Sequence, residues 1–262
     1  MSEEHVRYLR RVQRERWTII GLRAGFLVFL LLAWQAVVDL GWIDHFVVSS
    51  PREIWETAVR LARAHQLWIH VETTFLESVA GFTLGTLIGV VLATLLWWSP
   101  LFARVADPYL TVLQALPKIA LGPVFLIWLQ QYEAILAIAL AISVVVSVMM
   151  VYTGFHQTDP DRIRLLRAFG ASDAQIWRIV VLPGSLPTIM SALKMNVGMA
   201  LTGVIVGEFL VGRQGVGYLI VYGGQVFQMS LVMTGVAILA AMAALMHWGV
   251  EWLERRFARW PS

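Results

Sequence analysis

Two ionisable residues of this 262-residue chain stand where their charge is costly. Glu208 lies in GVIVGEFLVG and Lys118 in LPKIALGPVFLIW, both within otherwise apolar runs. A charge at such depth needs a partner, a cavity or a route to the interface, and is a functional candidate by default. Glu208 could line a pathway or a subunit contact beside the small residues Thr202, Gly203 and Gly207. It could equally be held by a backbone or basic group, Arg213 among them. Lys118 reads as a lysine roughly ten residues into its run, whose long stem reaches back to the interface. The flanking Pro117 and Pro123 free carbonyls that neighbouring groups must satisfy.

Other chemistry is scarce. The chain has no cysteine, which removes disulfides, thiolate nucleophiles and thiolate metal ligands. His5, His45, His65, His70, His156 and His247 are scattered among loops and ends, and no His, Asp or Glu cluster has metal spacing. No nucleophile and base share one depth, and no Gly-x-x-x-x-Gly-Lys-Ser/Thr loop is present to cradle phosphates. Neither a catalytic residue nor a metal site is expected.

The elements that must position Glu208 and Lys118 follow from composition. Hydrophobic residues make up 58% of the chain and charged residues 14%, against about 45–50% and about 25% in soluble domains. Several apolar runs near the length of a bilayer span leave too little polar surface for a soluble protein, so the fold class expected is an all-α polytopic membrane protein. Twelve Trp fit the headgroup boundary. Six runs reach the roughly 20 residues that a span requires: 19–40, 75–98, 109–129, 134–152, 189–211 and 226–248. The third is interrupted by Pro117, Lys118 and Pro123. In the second, Gly81, Gly85 and Gly89 recur every fourth residue after Ser78, a ridge suited to close helix packing.

Thirteen Lys and Arg gather on the side shared by the two ends and four on the other, so both termini are expected in the cytoplasm. The basic tail 1–18 and the tail 251–262 then flank a membrane domain over 19–250, and the first apolar run is read as a retained helix. On the external side, SSPREIWETAVRLARAH predicts an amphipathic helix over about 50–66, with Ser50 and Glu53 as a capping box and Pro51 in the first turn. On the cytoplasmic side, the stretch 153–188 holds TDPDRIRLLRAFGASDAQIWRIVVLPGSLP. There Ile163, Leu166 and Phe169 are expected to share a face, and a second amphipathic piece over 173–181 to end before Pro183. Gly170 supplies a turn that a residue with a Cβ would resist.

AFGASDAQIWRIVVLPGSLP resembles the cytoplasmic signature loop of binding-protein-dependent ABC importer permeases. That pattern runs Glu-Ala-Ala, three residues, Gly, about nine residues, then Ile-x-Leu-Pro. Here the glycine is Gly170 and the close is Val180, Leu182 and Pro183, while Arg164, Leu165 and Leu166 stand where Glu-Ala-Ala is usual. LPKIALGPVFLIW, SSPREIWETAVRL, HVETTFLESVAGFTLGTLIG and GVIVGEFLVGRQGVGYLI are similar to blocks of the nitrate, taurine and alkanesulfonate subgroup.

The resemblance implies a permease subunit that forms the solute pathway. Phe169, Gly170, Ala171, Ser172, Asp173, Leu182 and Pro183 would contact the ATPase. It also implies a second permease copy, a cytoplasmic ATPase dimer holding ATP and Mg, an extracytoplasmic solute-binding protein, and no cofactor on this chain. The membrane would be the bacterial inner one, and the solute a small organic or inorganic anion such as a sulfonate or nitrate, or a related metabolite. The rival from another class is an ion-coupled secondary transporter, which would show inverted repeats, broken half-helices and several membrane-buried carboxylates. Only Glu208 meets that description clearly in the sequence, and no nucleic-acid partner is indicated.

Overall fold

Apolar periodicity is satisfied in the computed structural model by eleven α-helices and no strand among the described residues, 3–44 and 48–257. His5, His45 and the side chains of Arg7, Arg10, Arg11, Arg16 and Arg259, which entered the sequence reading, lie outside what the structure describes. The helices are α1 (Glu3–Asp39), α2 (Pro51–Arg63), α3 (Gln66–Trp98), α4 (Pro100–Ala115), α5 (Gly122–Trp128), α6 (Gln131–His156), α7 (Pro160–Ala168), α8 (Asp173–Ile176), α9 (Leu182–Val211), α10 (Val216–Gln225) and α11 (Met229–Phe257). Five helical stretches are long and apolar enough to cross a membrane. A sixth crossing is completed if the pair α4 and Lys118–Trp128, bent by 88°, counts as one.

α6 is the centre of the bundle because glycines let its neighbours approach. Gly81, Gly85 and Gly89 of α3 face Ala139, Ser143 and Ser147 of α6 in matching four-residue steps, so these two helices run parallel. On the other side Gly203 and Gly207 of α9 face Ala139 and Ile135, with the register reversed, so α9 runs antiparallel. A Cβ at Gly203 would lie 2.5 Å from the Ala139 Cα, and one at Gly207 would lie 2.9 Å from the Ile135 Cα. Association without a hydrophobic drive depends on this kind of backbone approach. Ile135, Ile138 and Ala139 are consequently fully buried.

α2 starts at Pro51, with the Ser50 hydroxyl accepting from the Glu53 N–H at 3.2 Å and the Glu53 carboxylate accepting from the Ser50 N–H at 3.4 Å. It rests on α11 through Thr234, which donates to the Ile54 carbonyl at 3.3 Å. α1 is exposed along most of its apolar length, with Phe26, Phe29 and Leu32 each more than 60% exposed, as suits a helix turned to lipid or to another chain. Trp42, Trp55, Trp68 and Trp128 collect at one end of the bundle, and Trp97, Trp98, Trp177, Trp248 and Trp252 at the other, the two belts of a membrane protein. The end that carries α7 and α8 is called the near end below, and its opposite the far end.

Four expectations are corrected. The third run is not one helix: α4 begins at Pro100 and stops at Ala115, a 3₁₀ turn covers Lys118–Leu121, and α5 leaves at a new angle. Pro117 disfavours helical backbone at Leu116, which is extended (φ −63°, ψ 132°). The piece 173–181 does not end before Pro183. α8 continues through a π-helical turn, Trp177–Val181, into α9 as one stretch from Asp173 to Val211. Pro183 sits in the first turn of α9, and the wider π turn just before it needs no ordinary i−4 hydrogen bond from the proline. The run read from 226 belongs to α11 alone, and the preceding ten-residue α10 had no place in the sequence reading. Finally, Phe169 leaves the face of Ile163 and Leu166. Those two pack on the buried cluster of Val151, Phe155 and Ile176, whereas Phe169 is 79% exposed because α7 has already ended at Ala168.

Candidate functional site

The near end presents one protruding turn. α7 is capped by Asp159, whose carboxylate accepts from the Asp161 N–H at 2.9 Å, with Pro160 in its first turn. It closes in a Schellman arrangement: the Gly170 N–H donates to the Arg167 carbonyl at 2.9 Å, and the Ala171 N–H to the Leu166 carbonyl at 3.0 Å. That geometry places Gly170 at φ +78°, a left-handed conformation costing other residues about 1–2 kcal/mol. The next helix is nucleated at once by Ser172 and Gln175, which form a capping box. Arg167 and Asp173 bridge the turn at 3.2 Å.

The turn is fixed to the bundle from below. Ile176 is fully buried, and Trp177 stacks on Trp98 with ring centroids 5.8 Å apart while meeting Phe155 edge-on. Of the seven residues expected at the ATPase contact, Phe169, Gly170, Ala171, Ser172 and Asp173 lie together in this turn. Leu182 and Pro183 do not, because they begin α9 at the base, where Leu182 packs on the same buried cluster. Arg164 and Leu165, from the departing triad, are exposed on α7.

At the far end Glu208 is 1% exposed and is held by a backbone group, one of the alternatives the sequence left open, and by a threonine it did not indicate. Thr74 donates to its Oε1 at 2.6 Å and the Gly217 N–H donates to its Oε2 at 2.6 Å. The Val216 N–H donates to Thr74 Oγ1 at 2.7 Å, and the Gly215 N–H to His70 Nδ1 at 3.0 Å. The open N–H groups of α10 are thus capped by α3 and α9 rather than by local residues, and the carboxylate sits where a helix N-terminus favours negative charge. Arg213 is exposed and is not the partner. A second carboxyl, Glu77, lies against Glu208 and is also buried, at 4% exposure. Its sequence signal was an acidic residue next to Ser78, one and two turns along α3 from Gly81 and Gly85.

Lys118 is placed differently from its expectation. Because α4 starts at Pro100, Lys118 follows a helix about 24 Å long and stands at the break, well away from the near end. Its Nζ donates to the Gln114 carbonyl at 3.2 Å, closing the last turn of α4. Among the described residues no group of three or more His, Asp or Glu is arranged to hold a metal.

A bundle with two tryptophan belts and glycine-packed spans defines an integral membrane subunit, here with one helical turn projecting at one end. The chain belongs to the family described as binding-protein-dependent transport system inner membrane component, which matches residues 85–259. It is 27% identical over 255 residues to the taurine transport system permease protein TauC of Escherichia coli, covering 94% of this chain and 92% of that one. It is 28% identical over 259 residues to the riboflavin transport system permease protein RibX of Chloroflexus aurantiacus, covering 97% and 95%. Among solved structures, the inward-facing MetNI methionine ABC transporter superposes with a TM-score of 0.60 at 21% identity, over 77% of this chain and 98% of that one. That last likeness shows the fold. The chain is accordingly an ABC importer permease of the bacterial inner membrane, a transport subunit of a system whose ATPase is a separate chain.

Proposed function

We propose that two copies of this chain form the solute pathway and that each receives the ATPase stroke through the turn Phe169–Asp173. The observation that carries this reading is an exposed aromatic on a turn whose base is buried. Phe169 is 79% exposed, while Ile176, seven residues on, is fully enclosed. A force applied at Phe169 therefore reaches the bundle core without passing through a slack loop. Closure of the ATPase pair on ATP and Mg biases the permease between two states, so the free energy comes from the partner. The chain hydrolyses nothing itself, and its near end with the α11 terminus faces the cytoplasm.

The absence of cysteine makes the test simple. A Ser172→Cys permease in native membranes should crosslink to an ABC-type ATPase, and native mass spectrometry should find two permease chains with two ATPases. A well-inserted variant that captures no ATPase would sink the reading.

The solute is proposed to be a small anion such as a sulfonate or nitrate, with Lys118 at the break as its contact. A lysine held within the membrane layer by one carbonyl has ammonium protons to offer a passing anion. Lys118→Gln should leave the complex assembled and lower uptake of such an anion about tenfold, the loss of one charge-assisted hydrogen bond. Uptake unchanged in reconstituted vesicles would remove Lys118 from the pathway. The second buried carboxyl and the broken span are features the sequence reading reserved for a secondary transporter. Membership of the importer family decides against that rival.

A further inference from the structure

α7 offers a second surface beside the turn at Phe169. Ile163 and Leu166 turn toward the buried cluster of Val151, Phe155 and Ile176, and about 100° of rotation per helical residue then fixes where the others point. Arg164 and Leu165 project from the outer half of the helix, while Arg162 and Arg167 leave from its flanks. Leu165 is 58% exposed and stands one turn before Phe169, whose N–H still donates to the Leu165 carbonyl at 3.2 Å. The two side chains form an apolar step facing away from the bundle, with Arg164 at its border.

The three arginines of α7 are held differently. Arg167 is drawn to Asp173 across the turn at 3.2 Å, and Arg162 to Asp159 at the helix start at 3.6 Å. Arg164 meets Asp161 at 3.2 Å, with the two side chains 79% and 84% exposed. An exposed pair of this kind holds weakly, so the Arg164 guanidinium is available to a better acceptor. Asp161 lies in the first turn, where the helix N-terminus favours its charge. Arg164, in the middle of the helix, is the charge that borders the apolar step.

We infer that the ATPase docking at the near end presents an Asp or Glu to Arg164, beside an apolar recess for Leu165 and Phe169, and that this ion pair selects the ATPase. The inference rests on the coupling turn proposed above and carries its contact surface back along α7. A guanidinium fork matches a carboxylate in geometry as well as charge. The loop pattern that this chain resembles has Glu where Arg164 stands. An ATPase complementary to that glutamate offers positive charge, which Arg164 repels, so like charge excludes the wrong partner as opposite charge admits the right one.

The test uses the ATPase captured by the Ser172→Cys crosslink. Arg164→Lys keeps the charge and supplies an amine, so a water-soluble carbodiimide added to the assembled complex should join it to an Asp or Glu of the ATPase, identified by mass spectrometry. Arg162→Lys, about 200° round the helix, should give no link to the ATPase. With the permease in lipid nanodiscs, Arg164→Glu should weaken ATPase binding at least about a hundredfold, and changing the captured carboxylate to Arg should restore it to within about tenfold. Arg162→Glu should stay within about threefold of the native chain. A carbodiimide product confined to Asp161, unchanged binding in Arg164→Glu, or an equal loss in Arg162→Glu would each overturn the inference. Quenching of a fluorophore at Ala168→Cys by brominated lipid in the complex would also overturn it, by assigning this face to the membrane. Capture through Ser172→Cys is read first: with it, these failures leave the coupling turn standing, and without it the turn and this inference fall together.

Discussion

Gly203→Val should leave almost no folded permease in the membrane, whereas Gly198→Val on the same helix should be recovered close to the native amount. The contrast follows from what each new side chain would meet. At Gly203 even the first carbon would lie 2.5 Å from the Ala139 Cα and 3.2 Å from its amide nitrogen. Those are backbone atoms of the central helix, so no rotamer change relieves the collision and α6 and α9 must separate. Overpacking a tight core costs typically about 1–3 kcal/mol, occasionally more. The upper part of that range applies here because the obstruction is main chain. Separation would also expose Ala139 and Val204, now fully buried. At Gly198 nothing lies within 4 Å, so the same valine meets open space, and helix propensity slightly favours it over glycine. Size-exclusion recovery of solubilised, tagged protein reads both. Equal yields from the two variants would refute the packing account of this bundle.

Gly170→Val should do the opposite, leaving insertion and yield intact while cutting uptake at least about tenfold. No atom lies within 4 Å of a Cβ built there, so the bundle has nothing to object to. The cost is local and conformational. A β-branched residue at φ +78° is a genuine outlier, and relief requires undoing the Schellman closure that aims Phe169 outward. A shift of about 1–2 kcal/mol at an exposed turn is small against global stability but large for the population of one docking geometry. Gly170→Asn is the control, because asparagine tolerates the left-handed region. Uptake in reconstituted vesicles should follow the order Gly, Asn, Val. Full uptake by a stably assembled Gly170→Val chain would separate this turn from energy coupling.

The parts of the structure that were legible in the sequence are those set by local pattern. Five of the six expected crossings followed from run length, and the glycine ridge on α3 from its four-residue spacing. What stayed hidden depended on distant residues. Glu208 was conspicuous as a charge in an apolar run, but its side-chain partner Thr74 lies 134 residues away and carries no signature of its own. The ten-residue α10 was invisible for a related reason. Its N-terminus is capped by other helices, so no Ser, Thr or Asp marks its start. Lys118 was misplaced because the start of its run was set at Tyr109, where apolar character becomes continuous. The helix in fact starts nine residues earlier at Pro100, a residue suited to a first turn, behind Ser99, whose hydroxyl accepts from the Phe102 N–H at 3.3 Å. Phe169 failed because helical periodicity was carried one residue past the helix that generates it.

The double seam on α6 limits how such a transporter can open. Ala139 is held between Gly81 on one side and Gly203 on the other, with backbone close to backbone on the second. Helices in that state have no slack for a sliding or widening motion, since interiors packed this tightly shift as units. α3, α6 and α9 must then travel as one rigid body. With two copies paired as proposed above, a passage that faces first one side of the membrane and then the other would part along the boundary between them, leaving the interior of each copy unchanged through the cycle.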